Sequence, residues 1–266
     1  ANFLGGDTAL PLALATLAAV RFAPQHPWLA GFALALTSFK PTFGLPLGIL
    51  LLASGHYRAV LFGWSMGFVL GLGGLIVIFA RSGDLAHMPE ILLHNLQVHN
   101  SNPDANALTT AIRIDAAGAL ERLSPLQGDW VFMIATALVL SIACGALISL
   151  RRHRAQPEAK ALTLAIISVA TVACIFHVTY DALLLWGGIA CVGFAPKSVW
   201  PTTTIRWRWM ITVLLCVPMI NCLGSKTIAS VSAEWLPWLM MLPEGWRQIG
   251  WTFVCVLNGL TLLVAL

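Results

Sequence analysis

The stretch Ser38-Phe39-Lys40-Pro41-Thr42 decides how this sequence is interpreted. It lies in the apolar run 28–53, whose only charged side chain is that of Lys40. A lysine in hydrocarbon costs several kcal/mol unless water or a partner reaches it. Pro41 disfavours helix at the preceding residue, so a helix is expected to end or kink at Lys40. Because broken helices at membrane depth are packed in protein or line a cavity, the stretch predicts a cavity at Lys40.

The composition is that of a helical membrane protein. Hydrophobic residues make up 58% of the 266 residues and charged residues 10%, and the mean hydropathy is +0.83. Soluble domains are about 45–50% apolar and about 25% charged. The sequence therefore predicts an all-α, polytopic transmembrane helical bundle, one domain over residues 1–266, in the inner (plasma) membrane. Membrane lipids are the expected surroundings, and no nucleic-acid partner is expected from a net charge of only +4.

Apolar runs alternate with two long polar or interfacial segments. The segment 81–129 carries six acidic residues and three arginines, and the segment 224–248, rich in Trp and Pro, predicts a short helix lying in the membrane interface. The apolar runs are 8–20, 28–39, 42–53, 59–80, 130–150, 161–176, 182–194, 209–222 and 253–266.

Two arrangements are open for residues 28–54. Each half, at about 1.5 Å per residue, rises roughly 18 Å against a hydrocarbon core of about 30 Å, so neither half spans alone. The halves form either one kinked helix with Lys40 near the midplane or a re-entrant pair with Lys40 at its tip. Arg21 before the first half and Arg58 after the second favour the pair, because it places both basic turns on one side.

The charged residues sort to two faces. Arg151-Arg152-His153-Arg154 is the densest basic cluster and predicts a cytoplasmic end, with the loop of Lys197, Arg206 and Arg208 on the same side. Polar groups gathered on the other face favour an interfacial active site over a conduit, which would need polar groups at both faces. That outer set comprises Asp7, the Lys40 tip if the pair forms, the segment 81–129, and the cluster of His177, Tyr180 and Asp181.

Other features predict structure instead of chemistry. The six cysteines lie in apolar runs without CxxC spacing, so we expect neither a disulfide framework nor a zinc site. His94 and His99 are five residues apart without an adjacent carboxylate, so no metal site is expected. Gly71-Leu72-Gly73-Gly74 follows no strand and predicts close helix packing instead of a nucleotide loop.

Several short motifs resemble glycosyltransferase family 87, whose members have the GT-C fold. The stretch from Gly31 to Pro41 resembles that family's apolar, Ala-rich helix ending in Lys-Pro. Gly5-Gly6-Asp7-Thr8 is similar to its Gly-Gln element, with aspartate in place of glutamine. Asn106-Ala107-Leu108-Thr109 followed by Arg113 resembles its Asn-x-x-Ser/Thr segment, and His177-Val178-Thr179-Tyr180-Asp181 resembles its His-x-x-Tyr-Asp stretch.

The resemblance implies a membrane hexosyltransferase. The donor would be a polyprenyl-phosphate sugar, with mannose as the family-level expectation and no cofactor, and the acceptor a glycan or glycolipid. A hydroxyl of the acceptor would attack the anomeric carbon with inversion, and cations would stabilise the leaving phosphate. The residues expected to bind substrate are Lys40, His177, Tyr180, Asp181, Arg113, Asn106 and Asp7.

The catalytic base is not among these residues. The resemblance implies a general-base aspartate in a first outer loop, and we expect the chain to be a C-terminal fragment that lacks it and is inactive alone. The alternative function is a secondary transporter with a broken-helix binding site at Lys40-Pro41, although no second Lys-Pro break occurs downstream. A non-catalytic scaffold would leave the intramembrane lysine without a purpose.

Overall fold

The computed structural model describes residues 9–82, 87–101, 113–123, 129–175, 179–201, 203–220 and 256–259, together with 264 and 266. Throughout these ranges the regular structure is helical, as the sequence predicts. The α-helices are α1 Ala9–Phe22, α2 Pro27–Thr37, α3 Pro41–Ala53, α4 Tyr57–Ser82, α5 Met88–Ser101, α6 Ala116–Leu123, α7 Asp129–Leu150, α8 Pro157–Cys174, α9 Leu185–Ile189 and α10 Ile205–Ile220.

Within the described ranges, three helices are long and apolar enough to cross a membrane. They are Tyr57–Arg81, Trp130–His153 and Pro157–Cys174, and they coincide with three of the predicted apolar runs. The shorter apolar helices pack beside them around one core, to which α2 contributes Leu34 and α3 contributes Phe43 and Leu47, all fully buried. The short helices are thus stabilised by packing their apolar side chains into the core of the bundle.

The contacts of α4 show that α2 runs parallel to it. Near the start of both helices, a Cβ on Gly31 would lie 2.8 Å from the Ala59 carbonyl oxygen. Further along, a Cβ on Gly67 would lie 3.5 Å from Cβ of Ser38. Glycine at position 31 permits this approach, since any side chain there would meet the α4 backbone.

α3 runs back in the opposite direction. A Cβ on Gly44, in its first turn, would lie 2.6 Å from Cα of Ser38, and one on Gly48 would meet the indole of Trp64 in the middle of α4. The chain therefore reverses between Thr37 and Pro41, with Lys40 at the turn. The sequence left open one kinked helix or a re-entrant pair. These contacts are those of the pair, with α2 and α3 antiparallel.

The segment after α8 differs from the single helix predicted over 182–194. It consists of a 3₁₀ helix at Thr179–Leu184, α9, and a π-helix at Ala190–Phe194. The carbonyls that end this segment are bound by Arg208 of α10, whose Nε donates to Val192 O at 2.8 Å and whose Nη2 donates to the carbonyl oxygens of Gly193 and Ala195. Because carbonyls at a helix end lack intrahelical partners, this buried guanidinium acts as their cap.

One end of the bundle collects the basic loops. Arg151 Nε donates to Ala53 O at 2.6 Å, which joins the end of α7 to the end of α3. Thr203 Oγ1 donates to Glu158 Oε1 at 2.7 Å, which places the loop before α10 beside the start of α8. The two basic loops therefore lie at one end, as the sequence predicts, and the Lys40 turn lies at the opposite end of α3.

Two helices fall in the polar segment for which no helix was predicted, α5 and α6. Asp115 caps α6, since its Oδ1 accepts a hydrogen bond from Gly118 N at 2.9 Å. An aspartate before Ala116-Ala117 is a helix-start signal that the sequence offered. The interfacial helix predicted over 224–248 lies outside the described residues.

The close packing predicted for Gly71-Leu72-Gly73-Gly74 is wrong for the described part of the chain. No atom there lies within 4 Å of a Cβ built on Gly71, Gly73 or Gly74. The half of α4 that carries them projects beyond the short helices and exposes its side chains.

We predict that Arg208→Gln destabilises the bundle by about 3 kcal/mol, because three carbonyls lose a charged donor in a buried site. Thermal unfolding of the purified protein in detergent measures this. Arg206→Gln is the matched control, since Arg206 is exposed on the same helix. Equal unfolding midpoints for the two variants would contradict the cap.

Candidate functional site

A buried ion pair joins the α2–α3 turn to the segment after α8. Lys40 Nζ lies 2.7 Å from Oδ1 and 2.8 Å from Oδ2 of Asp181, so the ammonium donates to both carboxylate oxygens. The carboxylate is fully buried, whereas 28% of the lysine side chain is exposed. The arrangement neutralises two charges that would be costly to bury separately in the apolar bundle.

The sequence around the turn explains why the lysine is placed there. The hydroxyls of Thr37 and Ser38 both donate to Leu34 O, at 2.7 and 3.0 Å, and so satisfy a carbonyl at the end of α2. Lys40 has extended backbone angles, φ −117° and ψ 99°, as expected before proline. Pro41 then occupies the first turn of α3, where a missing N–H costs nothing.

An aromatic ring provides a second contact for the lysine. The ammonium of Lys40 lies 4.9 Å from the ring centroid of Phe43, which is fully buried. An ammonium over an aromatic face is stabilised by about 0.5–2 kcal/mol, depending on desolvation. Phe43 and Asp181 together fix the direction of the lysine side chain.

A cavity opens beside this ion pair. It has a volume of about 310 Å³ and is lined by Pro11 and Leu12 of α1 and by Leu36, Phe39 and Lys40 of the hairpin. Among the described residues that line it, all except the lysine are apolar. Phe39 is 71% exposed, so the cavity reaches the outer surface of the bundle. The cavity predicted at Lys40 is therefore present.

Arg113 forms a second buried ion pair, with Asp115. Its Nε donates to Oδ2 at 2.6 Å and its Nη2 donates to Oδ1 at 2.8 Å, a bidentate arrangement. The exposed fractions of the two side chains are 2% and 0%. Asp115 thus holds one edge of the guanidinium while it caps α6, so the arginine is anchored to a structural element.

The two ion pairs lie at the same end of the bundle. The start of α7 lies beside the end of α8, since Thr136 Oγ1 donates to Cys174 O. α6, whose first turn Asp115 caps, packs against both helices. Asp181 follows the end of α8 by a few residues.

Of the predicted substrate residues, the structure brings Lys40 and Asp181 into contact and places Arg113 at the same end. Tyr180 belongs to the 3₁₀ helix Thr179–Leu184. The other three, Asp7, Asn106 and His177, lie outside the described residues.

Sequence reasoning missed two parts of this region. Asp115 was not singled out, although a carboxylate two residues from an arginine in an apolar setting signals an ion pair. The partnership of Lys40 with Asp181 spans 141 positions, and no local pattern encodes it. No group of three or more His, Cys, Asp or Glu side chains converges in the described part of the chain.

A double-mutant cycle should show that Lys40 and Asp181 are energetically coupled. We expect Lys40→Met to destabilise more than Asp181→Asn, because the first removes a cation from beside a fully buried carboxylate, whereas the second leaves a lysine whose side chain is 28% exposed. The double variant should lose less than the sum, with a coupling of about 1–3 kcal/mol by thermal unfolding in detergent. Additive losses would show that the pair does not stabilise the fold.

Arg113→Lys tests the second pair. Lysine keeps the charge but cannot form two parallel hydrogen bonds with Asp115, so we expect a loss of about 2 kcal/mol in unfolding free energy. Arg81→Lys, at the exposed end of α4, is the control and should leave the midpoint unchanged. If both lysine variants melt with the wild type, the bidentate geometry contributes nothing.

Comparison with known proteins gives one match. The family model of glycosyltransferase family 87 matches residues 1–177, which is more than half of the chain. The matched region includes Lys40 and Arg113 and ends at His177, whereas Tyr180 and Asp181 follow it. No curated protein and no solved structure matches the chain.

Proposed function

The chain belongs to glycosyltransferase family 87, and from that membership we propose that it moves a sugar, mannose, from a polyprenyl-phosphate donor to a lipid or polysaccharide acceptor, with inversion. Family membership makes it a membrane glycosyltransferase and decides against the secondary transporter. The observation that carries the finer proposal is the partly exposed side chain of Lys40 at the wall of an apolar cavity.

The reaction places new charge where Lys40 can stabilise it. The acceptor oxygen forms a bond to the anomeric carbon while the bond from that carbon to the phosphate oxygen breaks. The acceptor proton passes to a general base. The phosphate changes from a diester to a monoester, so its negative charge increases during transfer. A cation that contacts this oxygen binds the transition state more tightly than the ground state.

Asp181 supports this role without contacting the sugar. The fully buried carboxylate of Asp181 accepts two hydrogen bonds from the ammonium of Lys40. These bonds hold the lysine side chain in place beside the cavity that it lines.

The cavity has the character expected for the start of a polyprenyl chain. Its walls are Pro11, Leu12, Leu36 and Phe39, all apolar, and Phe39 and Leu36 are exposed on the outside of the bundle. A donor could enter sideways from the bilayer, with its isoprene units against these side chains and its phosphate at Lys40. A water-soluble nucleotide sugar would gain nothing from such walls.

The sidedness of the reaction follows from the basic loops. Both lie at the end of the bundle opposite the Lys40 turn, and basic loops favour the cytoplasm. We therefore place the reaction on the non-cytoplasmic face of the plasma membrane. The remaining proposed substrate contacts are Arg113, His177, Tyr180, Asn106 and Asp7.

The proposal can be tested by measuring the transfer of radiolabelled mannose from polyprenyl-phosphate-mannose. The assay uses membranes prepared from cells that express the protein. We expect Lys40→Met to lower kcat by about 100-fold or more, since one preorganised electrostatic contact contributes about that much. His177→Ala should also lower transfer. Lys197→Gln is the control, because Lys197 is an exposed cation at the opposite end.

The variants must be inserted at equal levels for the comparison to hold. Transfer by Lys40→Met at the wild-type rate would contradict the phosphate contact. If the wild type uses no polyprenyl-phosphate sugar but uses another donor, the family assignment stands and the donor proposed here is wrong.

A further inference from the structure

The end of the bundle opposite Lys40 carries a group of cations around the α3–α4 turn. Arg151 is fixed there, since its Nε and Nη2 donate to the carbonyl oxygens of Ala53 and Leu52 at 2.6 and 2.5 Å. Arg152 and Arg154 follow on the same turn and are exposed. Arg58 lies on the first turn of α4, with its guanidinium carbon 5.9 Å from the ring centroid of Tyr57. We call these four arginines the basic rim.

His56 shows how closely the rim is gathered. It sits in the turn between α3 and α4, and its pKa is lowered from the ordinary value by burial, then by the positive charges of Arg154 and Arg151. Gly55, the residue before it, has φ +89°. A Cβ built on Gly55 would lie 3.5 Å from Arg151 Nε. The turn thus brings the end of α7 against the start of α4.

The rim has no carboxylate to balance it among the residues that the structure describes. Within the described residues, the ion pairs of Lys40 with Asp181 and of Arg113 with Asp115 both lie at the other end of the bundle. The nearest acid along the chain, Glu158, accepts a hydrogen bond from Thr203. Like charges held together without counter-charge favour a bound anion.

A long apolar surface begins at the same place. α4 starts at the rim, and most residues of its candidate membrane span Tyr57–Arg81 are exposed. Tyr57 and Leu61, in its first turns, are 61% and 71% exposed. An aromatic residue with a cation beside it, followed by exposed aliphatic side chains, is the pattern of a helix at the lipid headgroup level.

We propose that the basic rim binds the phosphate of an anionic phospholipid, whose acyl chains lie along the exposed face of α4. The rim supplies charge for the headgroup, and α4 supplies the apolar contact that a soluble anion could not use. A partner protein would have to match both a cationic end and a hydrocarbon-length apolar face. This inference does not depend on the proposed reaction, whose site is at the other end of the bundle.

The test uses the intact protein, purified in detergent, with phosphatidylglycerol or phosphatidylcholine added. Native mass spectrometry counts bound lipid, and thermal unfolding measures stabilisation. We expect phosphatidylglycerol to bind and to raise the unfolding midpoint more than phosphatidylcholine does. Arg152→Gln with Arg154→Gln should weaken phosphatidylglycerol binding on the order of 30-fold, since each cation near a lipid surface contributes about 1 kcal/mol.

The control is Lys197→Gln with Arg206→Gln, which removes the same charge from the other basic loop, where both side chains are also exposed. It should bind phosphatidylglycerol as the wild type does. Arg151 is left intact because it caps α3, and the rim variant should unfold at the wild-type temperature when no lipid is added.

Three results would overturn the proposal. Equal loss in the control variant would mean that the attraction is spread over the whole end instead of located at the rim. Equal binding of the two lipids would mean that charge does not select the headgroup. Equal stabilisation by inorganic phosphate alone, at the same concentration, would mean that the rim is an ion site that makes no use of α4.

Discussion

The ion pair between Lys40 and Asp181 is the constraint on which the rest of the structure depends. A lysine at the turn of a short apolar hairpin is tolerated only because a buried carboxylate from a distant part of the chain meets it at 2.7 Å. That requirement fixes where the segment after α8 must lie.

The same pair gives the bundle two unlike ends. At one end lie both ion pairs, Lys40 with Asp181 and Arg113 with Asp115. An apolar cavity opens beside the lysine. At the other end the arginines remain exposed around Arg151. For this member of glycosyltransferase family 87, we propose that the first end binds a lipid-linked donor and the other end binds charged lipid headgroups.

The hairpin was predictable because its signal is local. Pro41 after Lys40 breaks the helix whatever surrounds it, and the paired serine and threonine hydroxyls follow from their positions. The partner of Lys40 was not predictable, because a contact over 141 positions depends on how the helices pack. The π-helix after α9 was not predicted for the same reason, since Arg208 of the next helix stabilises it. α6 could have been found from the cap Asp115.

The distance from the donor phosphate to Lys40 Nζ tests the central claim most directly. It can be measured in a structure of the intact protein, determined experimentally with a polyprenyl-phosphate sugar bound. We predict a phosphate oxygen within about 3 Å of Nζ, with Asp181 still bound to the ammonium and the first isoprene units against Phe39. A phosphate bound elsewhere, with the cavity beside Lys40 left empty, would contradict it.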